Sequence, residues 1–322
     1  MLTFGQREPD AALPPPAPSW AGVGTYTLPE TPFAAQQPVP WRLPYHLLAL
    51  TTAGHGTVEV DFESSPCRPG TLVWIRPGRA LRFGGQPGLD AAIITWERDL
   101  LSTDQVAGVP VDDPGGPSRW QLAGEDEDAM ISEFAQLAVD CDRHRSLGPT
   151  KIHKTDAATT GTVLGTATRS AVAAALLRHQ LAVLLLRIAL LTTAGAAEWA
   201  SAESRTFARF RRALEEGHAD SRRVEDYAAR LGCSVRTLTR ASLAVTGRTA
   251  KQVVDDRVAL EARRLLACTP LSVAEVGRRL GFPEPTNFGR FFHREVGLSP
   301  GTFRHSLGSP GTRIPAPRWP AD

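Results

Sequence analysis

Two groups of polar side chains near the C-terminus have the chemistry needed to hydrogen bond to nucleic acid. The groups are Arg236, Thr239 and Arg240, then Thr286, Asn287, Arg290 and Arg294. Arginine can donate two hydrogen bonds to one guanine, and asparagine can pair in the same way with adenine, in a DNA groove wide enough to admit a helix. Both groups must then lie on the exposed faces of short helices, which makes the flanking residues decisive.

The second group lies in a pattern of two short helices separated by a turn. Ser272 followed by Glu275 forms a capping box, in which side chains bond free backbone amides at the start of a helix. Gly281 predicts the end of that helix because glycine readily adopts a left-handed backbone, and Pro285 suits the first turn of a new helix. Three aromatic residues of this new helix point inward and leave the polar group outside: Phe288, Phe291 and Phe292.

The first group lies in a similar pattern. Residues 224–231 are amphipathic, Gly232 ends them, and Ser234 is a good N-cap for the next helix. Leu238 faces inward in that helix, while the first polar group faces outward. The sequence therefore predicts two helix-turn-helix units.

One continuous helix is predicted between the two units. Residues 251–267 have apolar side chains at helical spacing and contain neither glycine nor proline. At about 1.5 Å per residue this helix spans about 25 Å, and its packed ends would set the two exposed helices about 34 Å apart, one turn of DNA. One protomer could then enter two successive major grooves.

Residues 224–304 resemble the DNA-binding domain of AraC/XylS-type bacterial regulators. The resemblance covers roughly a third of the chain and rests on Gly281-Phe282, Asn287-Phe288, Arg290-Phe291-Phe292, Gly297-Leu298-Ser299-Pro300 and Phe303-Arg304. It implies that both polar groups read bases or phosphates. The chain departs from the family at Gly277, Pro285 and His293, where alanine, a polar residue and lysine are usual.

The charge is divided between the two halves of the chain. Residues 201–322 contain 21 Lys plus Arg and 13 Asp plus Glu, whereas residues 1–200 contain 15 and 21, so the net charges are +8 and −6. A basic C-terminal part attracts DNA phosphates, and an acidic N-terminal part is repelled by them. Charge alone remains weak support for DNA binding, since many basic domains bind no nucleic acid.

Residues 20–120 predict an all-β domain. Short apolar or alternating runs at 45–50, 56–62, 71–75 and 91–96 are separated by Gly and Pro clusters, a pattern typical of a sandwich or barrel. The order Gly54-His55-Gly56, Pro69-Gly70-Thr71-Leu72, Arg76-Pro77-Gly78 and Arg82-Phe83 resembles the cupin-like effector domain that precedes the DNA-binding domain in many AraC-type regulators.

Such a barrel could hold a metal ion or a small molecule. His46 and His55 are isolated, and Ala80 and Leu81 stand where a cupin often has a histidine, so we expect no metal or other cofactor. Both histidines are interpreted as polar residues at strand ends or on the surface. Three aromatic residues are candidates for lining a pocket, with the barrel core as the simpler interpretation: Trp74, Phe83 and Trp96.

Helices are predicted between the two domains. Residues 125–138 begin with four acidic residues and continue with one apolar face. Residues 144–168 lack periodicity and predict a mobile loop. Residues 171–191 are the most apolar run of the chain, and their charged residues disfavour a membrane span. This run has one apolar stripe, which could either form a dimer contact or pack on its own domain: Leu177, Leu181, Leu184, Leu185, Ile188 and Leu191.

The sequence gives two indications of compartment. The N-terminus has no basic region followed by an apolar core, so no secretory signal is predicted. The four cysteines show no metal-binding spacing, which suits reduced thiols in the cytoplasm: Cys67, Cys141, Cys233 and Cys268.

These observations predict an α+β multidomain chain. Its parts are a Pro-rich arm (1–19), a cupin-like β-barrel domain (20–120), a helical dimerisation region (121–200), an all-α domain with two helix-turn-helix units (201–308) and a Pro-rich tail (309–322). The leading function is a DNA-binding transcription regulator, a homodimer that senses a small-molecule effector and contacts RNA polymerase if it activates. A regulator controlled by a partner protein is the alternative, and a cupin-type enzyme is a remote one.

Overall fold

The computed structural model describes residues 15–147, apart from gaps at 36–38, 85–87 and within 103–115, together with residues 160–193 and 201–307. Most of the expected arm (1–19) and all of the expected tail (309–322) lie outside these residues. Within the described part, strands precede helices. The strands are β1 (Val23–Thr27), β2 (Trp41–Arg42), β3 (His46–Ala53), β4 (Gly56–Val60), β5 (Glu63–Cys67), β6 (Thr71–Ile75), β7 (Ala80–Gly84), β8 (Asp90–Trp96) and β9 (Arg119–Gln121).

The strands form two antiparallel sheets. One has the order β1-β8-β3-β6-β9 and the other β2-β7-β4-β5. The predicted strands are confirmed, and of the two expected arrangements, sandwich or barrel, the sheets form the sandwich: in the described residues no strand pair joins them into a closed barrel. Strand β3 shows why, because its successive side chains point to opposite faces and both faces are apolar. Such a sheet is buried on one face by the other sheet and on the other face by helices.

The two faces of the five-stranded sheet contribute to different cores. Leu47 and Ile75 pack between the sheets with Leu81 and Phe83 of the second sheet. Their neighbours Leu48 and Trp74 point the other way. The helices that cover this outer face are α1 (Glu125–His144) and α2 (Thr160–Thr193).

Helix α2 is longer than the sequence indicated. The loop expected over 144–168 is wrong at both ends, because α1 runs to His144, a short 3-10 helix follows at Arg145–Leu147, and α2 begins at Thr160. The Ala- and Leu-rich continuation explains the early start, since a formed helix extends cheaply into residues of modest propensity. Residues 148–159 of the expected loop lie outside the described residues.

One face of α2 packs on its own domain. Five of the six leucine and isoleucine residues considered for a dimer contact are buried: Leu177, Leu181, Leu184, Leu185 and Ile188. They contact the outer face of the five-stranded sheet and α1 in one core. Residues Thr168–Leu191 are long and apolar enough to cross a membrane by length and composition, and a third of the span is buried in the protein.

The C-terminal domain is helical throughout its described part. Its helices are α3 (Ala202–Gly217), α4 (Val224–Leu231), α5 (Val235–Thr246), α6 (Ala250–Cys268), α7 (Val273–Arg279), α8 (Pro285–Val296) and α9 (Pro300–Ser306). Helix α6 runs through the middle and matches the predicted connector within one residue at each end. The core of the C-terminal domain also includes one aromatic residue of the N-terminal domain, Phe62.

Candidate nucleic-acid interface

The first helix-turn-helix unit is formed by α4 and α5. Gly232 ends α4 with a left-handed backbone (φ 65°), and the Ser234 hydroxyl accepts a hydrogen bond from the Thr237 amide at the start of α5. Leu238 is fully buried. Arg236 and Arg240 are exposed and Thr239 is half-buried, so the structure places the predicted group on the outer face of α5.

The second unit is formed by α7 and α8. Ser272 and Glu275 form the predicted capping box, Gly281 turns the chain with φ 74°, and Pro285 is the first residue of α8. The three predicted aromatic residues are buried. The structure leaves the four polar residues of α8 exposed: Thr286, Asn287, Arg290 and Arg294.

Packing between α7 and α8 accounts for Gly277. A Cβ atom at this position would approach the Cβ and ring of Phe288 to 3.1 Å. That distance is shorter than ordinary van der Waals contact, so alanine would push α8 away from α7. Glycine at 277 therefore matches a phenylalanine at 288.

The four arginines of the two outer faces differ in their ion pairs. Arg240 Nε lies 3.4 Å from Glu203 Oε1 of α3. Arg294 lies 2.6 Å from Glu295 and 3.4 Å from Asp255. No carboxylate among the described residues forms an ion pair with Arg236 or Arg290. These two guanidinium groups can donate to a new acceptor without giving up an existing partner.

Helix α6 holds the two units in fixed relation. It begins with a capping box between Thr249 and Gln252 and continues for 19 residues. At about 1.5 Å per residue it is about 28 Å long. Val254, Val258 and Ala262 are fully buried in the core that both units share, so neither unit can rotate without disturbing that core.

A hairpin turn of the N-terminal domain packs against α6. Asp61 and Phe62 connect β4 to β5, and both have left-handed backbones, with φ of 54° and 71°. Two-residue hairpin turns require this conformation, but a bulky residue rarely adopts it. Phe62 packs edge-on against Phe303 of α9, and the guanidinium of Arg263 lies over its ring. This contact between the domains holds the strained turn in place.

The same contact contains a network of buried charges. Asp61 accepts two hydrogen bonds of 2.7 Å from Arg264 and one of 3.0 Å from the Ala80 amide. Glu261 accepts from Arg42 of β2 at 2.8 Å and lies within 3.4 Å of Arg257 and Arg264. We call this contact the domain junction, formed by Arg42, Asp61, Phe62, Glu261, Arg263 and Arg264.

The arginines keep both carboxylates of the domain junction ionised. Burial opposes ionisation of Asp61, but Arg264 and Arg79 outweigh it and hold the pKa well below its usual range. Burial also opposes ionisation of Glu261, and Arg257, Arg264 and Arg42 lower its pKa to about 2. The two domains are therefore joined by paired charges at neutral pH.

The candidate pocket residues of the N-terminal domain do not lie together. Phe83 packs between the two sheets, whereas Trp74 and Trp96 pack on the face that α1 and α2 cover. All three are at most 5% exposed. One pocket lined by all three is therefore absent from the described residues, because the five-stranded sheet separates Phe83, which lies between the two sheets, from the tryptophans on its other face.

His46 is the first residue of β3, as expected for a residue at a strand end, but it is fully buried and does not lie on the surface. Its ring stacks on Trp96 with centroids 4.8 Å apart, and Trp74 Nε1 donates to its Nδ1 at 3.2 Å. Burial, with Arg76 and Arg98, lowers the pKa of His46 to about 3, so the ring is neutral at neutral pH. His55 is exposed as expected. Across the described ranges, no three His, Cys, Asp or Glu side chains are placed to hold a metal ion.

Sequence inspection missed the domain junction and α3. Glu261, Arg263 and Arg264 are close together on a helix whose other residues are mostly buried. Three charged residues at such positions were the available signal of a buried ion-pair network. Asp61 had no such signal, because an Asp-Phe turn is atypical for a hairpin. Helix α3, which contributes Glu203, was included in the C-terminal domain without being recognised as a helix.

Comparisons with known proteins match the C-terminal domain. A helix-turn-helix domain family matches residues 227–306. The HTH-type transcriptional activator RhaS of Shigella boydii is 33% identical over 91 residues, which are 28% of this chain and 33% of RhaS. RhaR of an Enterobacter species, also an HTH-type transcriptional activator, is 34% identical over 82 residues, 26% of this chain and 29% of RhaR. The chain thus matches about a third of the length of these relatives.

Two solved structures are similar to parts of the chain or to most of it. The DNA-binding domain of the global transcriptional factor AdpA, solved with a target DNA, is 35% identical and covers 32% of this chain and 90% of its own, with a TM-score of 0.28. ToxT from Vibrio cholerae is 8% identical and covers 89% of this chain and 98% of its own, with a TM-score of 0.42.

Proposed function

We propose that the chain is a sequence-specific DNA-binding transcription regulator of the AraC/XylS type, because residues 227–306 match a helix-turn-helix domain family and 91 residues of the chain are 33% identical to RhaS. The observation that carries this proposal is the pair of exposed polar faces on α5 and α8, held by one buried helix. We propose further that it activates transcription, as the names of RhaS and RhaR state for those proteins, and that it then contacts RNA polymerase.

The DNA-binding proposal is tested by removing one side chain from each unit. Arg240→Ala and Arg290→Ala should each weaken binding to a site selected from random DNA by about 1–3 kcal/mol if they read bases. Arg143→Ala on α1, where the arginine is equally exposed, is the control. Unchanged affinity in both DNA-domain variants would refute the assignment of these side chains.

A second part of the proposal concerns the N-terminal domain, to which we assign sensing of a small-molecule effector. The domain junction supports this assignment, because it connects β2 and the β4–β5 turn directly to α6. A displacement of the sheets on binding an effector would reach the helix that joins both DNA-reading units. Trp74, Phe83 and Trp96 remain candidates for contacting the effector, with the first and last on a separate face.

Control by a partner protein is the alternative to an effector. A metabolite that raises the melting temperature of the full chain and changes its affinity for the selected DNA would favour sensing. A stoichiometric protein partner in the absence of any stabilising metabolite would favour the alternative.

A cupin-type enzyme is the remote alternative. Bound transition metal in the purified protein would favour it.

We also propose that the regulator is a homodimer formed through the exposed side of α2. Six of its exposed residues follow alternating steps of four and three, as in a coiled-coil seam: Val172, Leu176, His179, Val183, Leu186 and Leu190. The five apolar members are between 38% and 70% exposed. A second copy of the same helix offers a matching stripe, and a coiled coil would bury both.

The dimer proposal is tested with charged substitutions in the stripe. Val183→Asp and Leu186→Asp should convert the protein to a monomer in sedimentation experiments, because burying a carboxylate in the seam is costly. Val39→Asp, at a residue 45% exposed outside α2, is the control. A dimer that persists in both stripe variants would show that another surface is used. We also propose that the protein is cytoplasmic, because a DNA-binding regulator must be in the compartment that contains the DNA.

A further inference from the structure

A basic groove lies between the N-terminal end of α6 and the outer face of α8. Its volume is about 910 Å³, and its cationic lining comes from Arg222, Arg248, Lys251, Arg290 and Arg294. We propose that this groove holds a phosphate of the DNA backbone and that Lys251 is its principal contact. The inference rests on the proposed function, because it assigns a further contact to the same DNA interface.

The position of the groove favours the backbone over the bases. Asn287 and Arg290, the candidate base-reading residues of α8, form one wall of it, so DNA bound to α8 passes over the groove. Lys251 and Arg248 come from the other wall, near the start of α6, which lies between the two units. When two recognition helices enter successive major grooves, the duplex between them presents its phosphates to the protein.

The charges in the groove are partly neutralised by its own carboxylates. Asp255 accepts from Lys251 one turn earlier in α6 and from Arg294 of α8 at 3.4 Å. Arg248 donates to Asp256 at 2.9 Å. Five cations against Asp255 and Glu295 leave the lining positive.

Lys251 is the cation most easily transferred to a phosphate. Its side chain is 57% exposed, whereas that of Arg248 is 22% exposed and held by Asp256. Arg222 is also engaged, because it donates to the Gly281 carbonyl at 3.0 Å and lies over the Phe282 ring. Lysine presents a compact charge on a flexible stem and can follow a phosphate without a fixed geometry. It is the single lysine among residues 201–322.

Asp255 would then compete with DNA for Lys251. Its side chain is only 11% exposed and stays in place on α6, so a phosphate must draw the ammonium group away from it. The arrangement makes two neighbouring residues act in opposite directions on DNA binding. Removing the cation weakens binding, and removing the anion strengthens it.

The test uses the full chain, a duplex carrying a selected site and a duplex of random sequence, with salt varied between about 50 and 200 mM. Lys251→Gln should reduce the slope of log affinity against log salt by about 0.9 and weaken binding to both duplexes by the same factor. Asp255→Asn should tighten binding to both duplexes. Arg143→Gln removes an exposed charge from the N-terminal domain and should change neither quantity. Equal melting temperatures verify that the variants are folded.

The outcomes separate this inference from the proposed function. A Lys251→Gln slope equal to that of the parent, while Arg290→Ala loses affinity for the selected site, overturns the groove assignment alone. Weaker binding by Asp255→Asn also overturns it, because the carboxylate would then support the interface. A parent chain that fails to distinguish the selected duplex from the random one overturns the proposed function and this inference with it.

Discussion

Each end of α6 contributes to an ion pair between a basic and an acidic side chain, but the two pairs differ in how far solvent reaches them. At the N-terminal end, Lys251 and Asp255 form an ion pair whose lysine is 57% exposed and faces the basic groove. Two to four turns later, Arg264 and Asp61 form a pair in which both side chains are 8% exposed and face the N-terminal domain. The first pair can exchange partners with a ligand, whereas the second is shielded from water and from other ions.

The difference shows how one helix can serve two purposes. An exposed pair contributes about 0–1 kcal/mol, so its loss costs little and its cation remains available. A buried pair gives little net stability as a pair, but removing one member leaves an unpaired buried charge and costs about 3–5 kcal/mol. The C-terminal half of α6 therefore fixes where the N-terminal domain sits, and the N-terminal end remains free to contact DNA.

The largest expected effect on stability comes from neutralising Asp61, the carboxylate of the buried ion pair. Asp61→Asn should lower the free energy of unfolding by about 3–5 kcal/mol, because Arg264 and Arg79 both lose their closest buried carboxylate. Asparagine retains the side-chain shape and tolerates the left-handed backbone at φ 54°. The loss of stability therefore reports the removal of the negative charge. Equilibrium denaturation of the full chain measures it.

Lys251→Gln at the exposed end is the control for Asp61→Asn, because Lys251 is 57% exposed and Arg294 remains beside Asp255 when the lysine is removed. We expect it to change the free energy of unfolding by less than about 1 kcal/mol. Similar losses in the two variants would remove the distinction between the ends of α6.

An intermediate effect is expected on lowering the pH. Burial opposes ionisation of Glu261, but Arg257, Arg264 and Arg42 lower its pKa from 4.5 to about 2 in the folded chain. The folded state therefore binds its proton more weakly than the unfolded state, and stability present above pH 4.5 is lost as the pH falls toward 2. This group accounts for about 3 kcal/mol of that loss.

Glu261→Gln should therefore be less stable than the parent at pH 7 and lose less stability between pH 5 and pH 2. Denaturation curves of both proteins across this range provide the measurement. Parallel pH dependences in parent and variant would mean that Glu261 is not held ionised by the domain junction.

The smallest expected effect belongs to the cap at the exposed end. Thr249→Ala removes the acceptor for the Gln252 amide and should lower the free energy of unfolding by about 1 kcal/mol. Thr206→Ala in α3 is the control, because its hydroxyl only bonds the Ala202 carbonyl of the same helix and alanine is the better helix former. A loss of more than about 3 kcal/mol in Thr249→Ala would show that both ends of α6 are equally critical.

Local signals in the sequence predicted the two helix-turn-helix units well. Capping residues, glycine turns and aromatic spacing act within a few residues, and Ser234, Ser272 and Gly281 occupy the predicted positions. The exposed faces followed from them, because the inward positions determine the outward ones. The connector helix was predicted for the same reason.

Contacts between distant segments could not be predicted in this way. Asp61 and Arg264 are 203 residues apart, and nothing near either residue specifies the other. Sandwich and barrel were both left open, because an apolar strand can be buried on its two faces equally well by a second sheet, by the far side of a barrel or by a helix. The six residues chosen on α2 follow a helical period, but a period alone does not say which apolar stripe faces the sheet and which faces solvent.

The central claim is that one chain reads DNA with both α5 and α8. Selecting binding sites from a random DNA library with the parent, Arg240→Ala and Arg290→Ala tests it most directly. We expect the parent to select two blocks of sequence about 10 base pairs apart, with Arg240→Ala relaxing one block and Arg290→Ala relaxing the other. The absence of an enriched sequence, or the same two blocks selected by all three proteins, would contradict it.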